Sequence, residues 1–299
     1  MTVHQGIEKI RAYLTAALAN RQSFTLEDRR NAVDGLSTLA PLPGGTTAAM
    51  VRLGHVMAEK VTATASDPSG ALLYLHGGAF VAGSARSHRQ ITTMLALETN
   101  LPVYALEYRL APEHPFPAAL DDCLAAYQAL LETVGDARRI FLVGDSAGGN
   151  LLLSALCQLR NDGMTLPGAA VAISPSTDLS CSSDSYETRK DQDFFLSRAG
   201  LEKDFATYLG SASPMDPAAS PLYQDLHGLP PLLLQVGSDE ILLDDSRRFA
   251  DKLRASGGEV ELEIWPDMIH VWHFFPHWLP EARSAVQAIA KFISRHSAA

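Results

Sequence analysis

From about residue 70 onward, short and almost unbroken apolar runs alternate with longer stretches whose apolar residues recur at helical spacing. The runs are Leu72–Leu75, Val103–Leu106, Ile140–Val143, Ala169–Ile173, Leu232–Val236 and Val260–Ile264. Helices are expected between them, roughly over 87–98, 117–133, 147–162, 244–256 and 281–295. A strand that is apolar on every residue has both faces covered. Strands of this kind separated by helices predict an α/β fold, a mostly parallel sheet between helical layers.

The first 65 residues are patterned differently. Ile7, Ile10, Leu14, Ala17 and Leu18 predict a helix over 6–20, and Thr25 with Asp28 forms an approximate capping box for a second. Pro41, Pro43, Gly44 and Gly45 then break the chain, and strand-like runs follow at Met50–Val56 and Lys60–Ala65. The longest interruption of the alternation, about 176–228, is rich in Ser, Asp and Pro. It reads as a surface excursion or a lid. The chain has no internal repeat and no low-complexity tract.

Composition narrows the class. Of 299 residues, 46% are hydrophobic and 19% charged, as in a folded globular protein. A formal net charge of −10, without any Lys/Arg cluster, argues against nucleic acid or an anionic membrane as partner. Cys123, Cys157 and Cys181 are widely spaced and odd in number, which fits a reduced compartment and no disulfide framework. Glu8, Lys9 and Arg11 interrupt the first apolar residues, so no signal peptide is expected, and no apolar stretch is long enough to span a bilayer. The expected location is the cytoplasm.

The strongest chemical signal is Gly144-Asp145-Ser146-Ala147-Gly148, directly after one apolar run and directly before a helix. G-x-S-x-G in that setting is a nucleophile elbow: small residues allow a sharp turn that exposes the serine hydroxyl at the carboxyl edge of the sheet. A glycine-rich phosphate loop is the alternative, but neither G-x-G-x-x-G nor Gly-Lys-Ser/Thr is present. His76-Gly77-Gly78-Ala79-Phe80 follows the run Leu72–Leu75. A glycine pair there is either a plain turn or a source of unobstructed backbone N–H groups for an oxyanion, and its place ahead of the G-x-S-x-G favours the second.

A serine nucleophile needs a base, and His227, His270, His273, His277 and His296 follow it in sequence. His270 comes just after the run Val260–Ile264, where a loop at the carboxyl end of a strand can reach the site. His273 and His277 lie among aromatic residues and are expected in packing or at a partner surface; zinc held by His270, His273 and His277 is a minor reading. The acid that orients the base should follow the run Leu232–Val236, where Asp239, Glu240, Asp244 and Asp245 compete. Asp239 is preferred because it sits in the turn immediately after the strand, with Glu240 as fallback. Asp244 and Asp245 precede a helix and are expected to cap it.

The segments LYLHGGAFVAGS (ending at Ser84), EYRLAPEHPFPAAL (107–120), VGDSAGGN (143–150), LPPLLLQVGSDEILLDDS (229–246) and WPDMIHVWH (265–273) together resemble the bacterial branch of the hormone-sensitive-lipase family of esterases. The resemblance implies an α/β-hydrolase fold with an eight-stranded sheet and the triad Ser146, Asp239 and His270. Among the oxyanion-hole candidates Gly77, Gly78, Ala79 and Ala147, it assigns the N–H groups of Gly78, Ala79 and Ala147. The family has a third glycine where this chain has Ala79, which keeps the N–H and adds a methyl. The resemblance also implies a buried network of Arg109, Glu113 and His114 beneath the site, with no catalytic part for His114. A cap from residues 1–45 and about 180–220 is implied, with the catalytic domain over 46–299, and a homodimer through the sheet edge.

The expected function is hydrolysis of short- to medium-chain acyl esters through an acyl-serine, without metal or cofactor. Lactone hydrolysis with the same triad is the runner-up. A receptor on the same fold would bind a small molecule without turnover and would lack a triad residue, whereas here all three positions are filled.

Overall fold

The computed structural model describes residues 2–17, 25–39 and 42–297. Eight strands form one sheet in the order β1-β2-β4-β3-β5-β6-β7-β8. They span β1 Thr46–Leu53, β2 Val56–Ala63, β3 Ala71–Leu75, β4 Val103–Glu107, β5 Ile140–Asp145, β6 Ala169–Ile173, β7 Leu232–Gly237 and β8 Val260–Trp265. β2 pairs antiparallel with β1 and β4, and every other pairing is parallel. The fold is the expected α/β-hydrolase fold.

The apolar runs are continuous because alternate residues serve opposite layers. Leu73 and Leu75 of β3, Leu142 of β5, and Ala170 and Ala172 of β6 face a core that includes Leu120, Leu152 and Phe249. These come from α4 (Ala118–Val134), α5 (Ala147–Asn161) and α8 (Leu243–Ala255). Leu72, Tyr74, Phe141, Val143 and Val171 face the other core with Ile91, Val286 and Ile289, from α3 (Arg89–Thr99) and α9 (Pro280–His296). The period-2 side-chain alternation of a strand thus fills both layers.

Helix α1 (Val3–Ala17) buries Ile10 and Leu14 in the second core. Its Gly6 packs so tightly on the Trp278 carbonyl that a Cβ there would lie 2.4 Å from it. Leu18, in the predicted stripe, and Pro41, in the predicted break, lie outside the described residues. Helix α2 (Leu26–Asp34) has the predicted Thr25–Asp28 capping box, with both of its hydrogen bonds formed. The first hairpin differs from expectation: its two-residue turn is Gly54-His55, with Leu53 paired to Val56, so Val56 opens β2 instead of closing β1. Gly54 supplies the left-handed φ of +61° that this turn uses.

The interruption at 176–228 contains α6 (Ser185–Thr188) and α7 (Arg198–Leu209). Helix α2 reaches it through the Arg29–Asp204 ion pair and touches the loop after β3 through Arg30, which donates to the Val81 carbonyl. Arg11 of α1 stacks over the Phe194 ring at 4.3 Å. Among the described residues no helix is long and apolar enough to cross a membrane. Cys123, Cys157 and Cys181 are free and buried.

Candidate active site

β5 ends at Asp145 and α5 begins at Ala147, so Ser146 takes the whole reversal, at φ 54° and ψ −116°. That conformation is costly for a residue with a Cβ, and the neighbours hold it in place. The Ser146 N–H donates to the Ile173 carbonyl at the end of β6 (2.8 Å), and its own carbonyl accepts from Asn150 (3.0 Å). Gly148 is required by contact. A Cβ there would lie 1.9 Å from the Leu75 carbonyl, so only glycine lets the first turn of α5 rest on the end of β3. Ser146 is 6% exposed.

The loop after β3 lies beside this elbow, and a single carboxylate joins the two. Asp145 accepts from the Tyr74 hydroxyl (2.6 Å), the Gly77 N–H (3.0 Å) and His88 Nε2 (3.3 Å). Burial alone would raise the Asp145 carboxyl, but His88 and the hydrogen bonds hold it below the usual carboxylate range. The Gly77 N–H is therefore spent within the protein, which removes Gly77 from the candidate oxyanion donors. Among the described residues no protein acceptor takes the N–H groups of Gly78, Ala79 or Ala147. Gly78 and Ala79 both have positive φ, +118° and +53°. His76 is buried, stacks on Tyr108 at 4.1 Å and bonds the Gly77 carbonyl through Nδ1. Burial and nearby His88 push its imidazole down to about 3, so it is neutral and structural.

The carboxylate bonded to His270 is Glu240, not the expected Asp239. Glu240 Oε2 lies 2.8 Å from His270 Nδ1, and Oε1 accepts from the Ser174 hydroxyl (2.7 Å) and the Gly237 N–H (2.6 Å). Ser238 and Asp239 form the turn after β7. Asp239 accepts from the Ser238 hydroxyl (2.9 Å), and its N–H donates to the Met268 carbonyl (3.2 Å). The turn thus spends Asp239 on its own neighbours and leaves Glu240 to meet the imidazole. Residue order alone did not resolve this one-position difference. The signal available was Glu240 opening the apolar stretch Ile241-Leu242-Leu243, where only a partnered carboxylate can be buried.

His270 is 3% exposed. Burial would lower its pKa, but the Glu240 hydrogen bond and charge, with Asp193 and Asp145 behind, hold it above the usual value. Phe195 from the insertion sets its ring edge-on to the imidazole, with centroids 5.6 Å apart.

The other candidates fall elsewhere. His273 is buried with Nε2 on Gln235 (2.9 Å), and burial pushes it down to about 3. It and His270 thus answer to separate partners. His227 and His277 are exposed, and His296 lies in α9. Asp244 and Asp245 sit inside the first turn of α8, whose cap position is Leu242. Asp245 instead accepts from the Thr177 and Asp178 N–H groups (2.8 and 3.0 Å) and the Ser183 hydroxyl (2.7 Å), pinning the insertion to α8. The expected Arg109–Glu113–His114 network does not form. Arg109 pairs with Asp122, Glu113 pairs with Arg30, and His114 is exposed. Ser174, Asp145, Tyr74, His88 and Asp193 were missed, because each meets its partner across 48 or more positions of sequence that only the folded chain brings together. Among the described residues no group of three or more His, Cys, Asp or Glu is placed to hold a metal ion.

A family model described as alpha/beta hydrolase fold matches residues 72–274. An acetyl-hydrolase of Streptomyces hygroscopicus is 43% identical over 268 residues, covering 90% of this chain and 89% of its own length. An esterase of Acinetobacter venetianus is 38% identical over 264 residues, 88% of this chain and 87% of its own. The crystal structure of an esterase from the bacterial hormone-sensitive lipase family superposes with a TM-score of 0.96, at 38% identity and covering 100% of both chains.

Proposed function

The chain belongs to the bacterial hormone-sensitive-lipase-like esterases of the α/β-hydrolase fold and is a carboxylic-ester hydrolase, and on that premise we propose that it cleaves short- to medium-chain acyl esters through an acyl-serine, with Ser146, His270 and Glu240 as its triad. The observation that carries this reading is the buried Glu240–His270 hydrogen bond at the same sheet edge as the strained Ser146 elbow. With Nδ1–H donated to Glu240, the lone pair of Nε2 is left to take the serine proton.

Ser146 Oγ adds to the ester carbonyl as His270 accepts its proton. The carbonyl oxygen becomes an anion, and the N–H groups of Gly78, Ala79 and Ala147 hold it. The bond to the alcohol oxygen then breaks, and His270 returns the proton to the leaving alcohol. Water, deprotonated by His270, next attacks the acyl-serine; the acyl–Oγ bond breaks, His270 returns the proton to Ser146 Oγ, and the acid is freed. Glu240 fixes the tautomer and stabilises the imidazolium without taking the proton.

We extend the reading to the cap: α1, α2 and the 180–220 region cover the site and close it around a small acyl group. The Arg11–Phe194 and Arg29–Asp204 contacts support this, as does the acetyl-hydrolase among the relatives. Acyl chains of roughly C2 to C8 are then preferred over emulsified long-chain triglycerides. A homodimer through the sheet edge and a cytoplasmic location complete the proposal. Sizing of the purified protein tests the dimer.

Nitrophenyl esters of graded chain length, with a lactone panel, test the substrate class. Faster turnover of lactones than of any acyclic ester would replace ester by lactone as substrate. Removing the first forty residues tests the cap: an unchanged chain-length profile with unchanged stability would overturn it.

A further inference from the structure

Ile241 directly follows Glu240, and both of its peptide groups are held by the insertion. Its N–H donates to Asp193 Oδ2 at 3.0 Å, and its carbonyl accepts from the Ser185 hydroxyl at 2.6 Å. Asp193 Oδ1 accepts from the N–H groups of Phe195 (2.9 Å) and Leu196 (2.8 Å). Those two bonds are local, whereas the bond to Ile241 crosses 48 positions of sequence. Asp193 is 5% exposed, and Phe195, whose backbone it holds, packs against His270. One buried carboxylate therefore touches the acid's loop and the aromatic wall of the site.

Resting on the triad reading above, we propose that Asp193 is a positioning residue that fixes the Glu240 loop and the Phe195 wall relative to each other around His270. An ionised carboxylate suits the place because its partners are all donors. A neutral amide would turn one N–H toward another. Burial, the largest influence, holds the Asp193 carboxyl above the usual carboxylate range, against the weaker pull of His270 and the N–H groups of Ile241 and Leu196.

Asp193 also acts through space. Glu240, Asp193 and Asp145 face His270 and favour its protonated form, while His273 lies near with burial keeping it neutral. A negative charge at Asp193 steadies the imidazolium that forms when Ser146 gives up its proton. Two effects are then separable: tethering by hydrogen bonds, which any misplaced group loses, and charge, which a longer acid keeps.

The test is the pH profile of kcat/KM for a nitrophenyl ester in the full-length enzyme, with active sites counted by an irreversible organophosphate. Asp193→Asn is expected to lower kcat per active site about tenfold and to move the acid limb to lower pH by about half a pH unit. Asp193→Glu keeps the charge but displaces it, so kcat should fall while the acid limb stays where it is in the wild type. A merely structural role would lower the number of active sites or the melting temperature and leave the limb of the surviving sites unmoved. That result, or wild-type kcat in Asp193→Glu, overturns the proposal, and Asp193→Glu carries the test alone if Asp193→Asn does not fold. Should Glu240→Gln retain full activity, the triad reading itself fails. An inactive Glu240→Gln beside an unaffected Asp193 series overturns only the positioning role.

Discussion

Glu240 meets His270 Nδ1 through Oε2 at 2.8 Å and keeps Oε1 for the Ser174 hydroxyl and the Gly237 N–H. With both oxygens engaged, the plane of the carboxylate is fixed, and it fixes the plane of the imidazole. The Ser174 hydroxyl also accepts from the Val271 N–H at 3.4 Å, so the loops carrying Glu240 and His270 share one anchor at the end of β6.

Glu240→Gln should therefore lower kcat by roughly 10³ to 10⁴, because the amide can favour the wrong imidazole tautomer. Asp239→Asn, which leaves that bond alone, should stay within about threefold of wild type. Initial rates on one nitrophenyl ester compare them, and equal losses would mean that the turn rearranges in solution.

His270 is held above 6.5 by Glu240, Asp193 and Asp145. It works as a base only when neutral, so kcat/KM should fall as pH drops through that raised value, and the acid limb should lie above pH 6.5. Removing the Glu240 charge should move the limb downward. A limb below 6.5 in the wild-type enzyme would contradict the balance of charges around His270.

Ser146→Ala removes the attacking oxygen and leaves the backbone bonds to Ile173 and Asn150 in place. Activity should fall by on the order of 10⁶ with an unchanged circular dichroism spectrum. A mutant retaining a tenth of the activity would place the nucleophile elsewhere.

Ala79 adopts φ +53°, a left-handed conformation that costs a residue with a Cβ about 1 kcal/mol. Ala79→Gly should raise stability modestly, by up to about 1 kcal/mol less the added entropy of the unfolded chain, and should keep the N–H. Denaturant melts check the first point and ester turnover the second. A large loss of activity would show that the methyl, not only the N–H, shapes the site.

Burial, with Asp178 beside it, pushes the Asp245 carboxyl up to about 7, against the pull of the Ser183 hydroxyl. The folded protein thus keeps a proton that the unfolded chain releases near its ordinary value of 3.8. This contribution to stability is complete below that lower value and declines as pH rises toward 7. Asp245→Asn mimics the protonated acid and should flatten the decline. Thermal melts at about pH 5 and about pH 8 measure it, and parallel drops in both proteins would refute the assignment.

The sheet was legible because Leu72–Leu75 or Ile140–Val143 can be apolar throughout only when both faces are covered, which the paired cores confirm. Ser146 was legible because its turn needs glycine at 144 and 148, a local requirement written in five residues. The acid was not, since Asp239 and Glu240 differ only in where the Ser238–Asp239 turn leaves them. Arg109 and Glu113 found partners in Asp122 and Arg30, of which Arg30 lies 83 positions away from Glu113. Pairing at that distance depends on the path of the chain, which no local pattern encodes.

Asp145 binds the Gly77 N–H across 68 positions, joining the end of β3 to the end of β5. The groups that would hold the oxyanion and the serine that would create it are therefore brought together only when the centre of the sheet has registered. A half-folded chain has the serine but no cradle for the charge. Recovery of turnover during refolding should follow the pairing of β3 with β5 and never precede it. The first molecule of product then reports on long-range order, a more demanding signal than any gain in helix content.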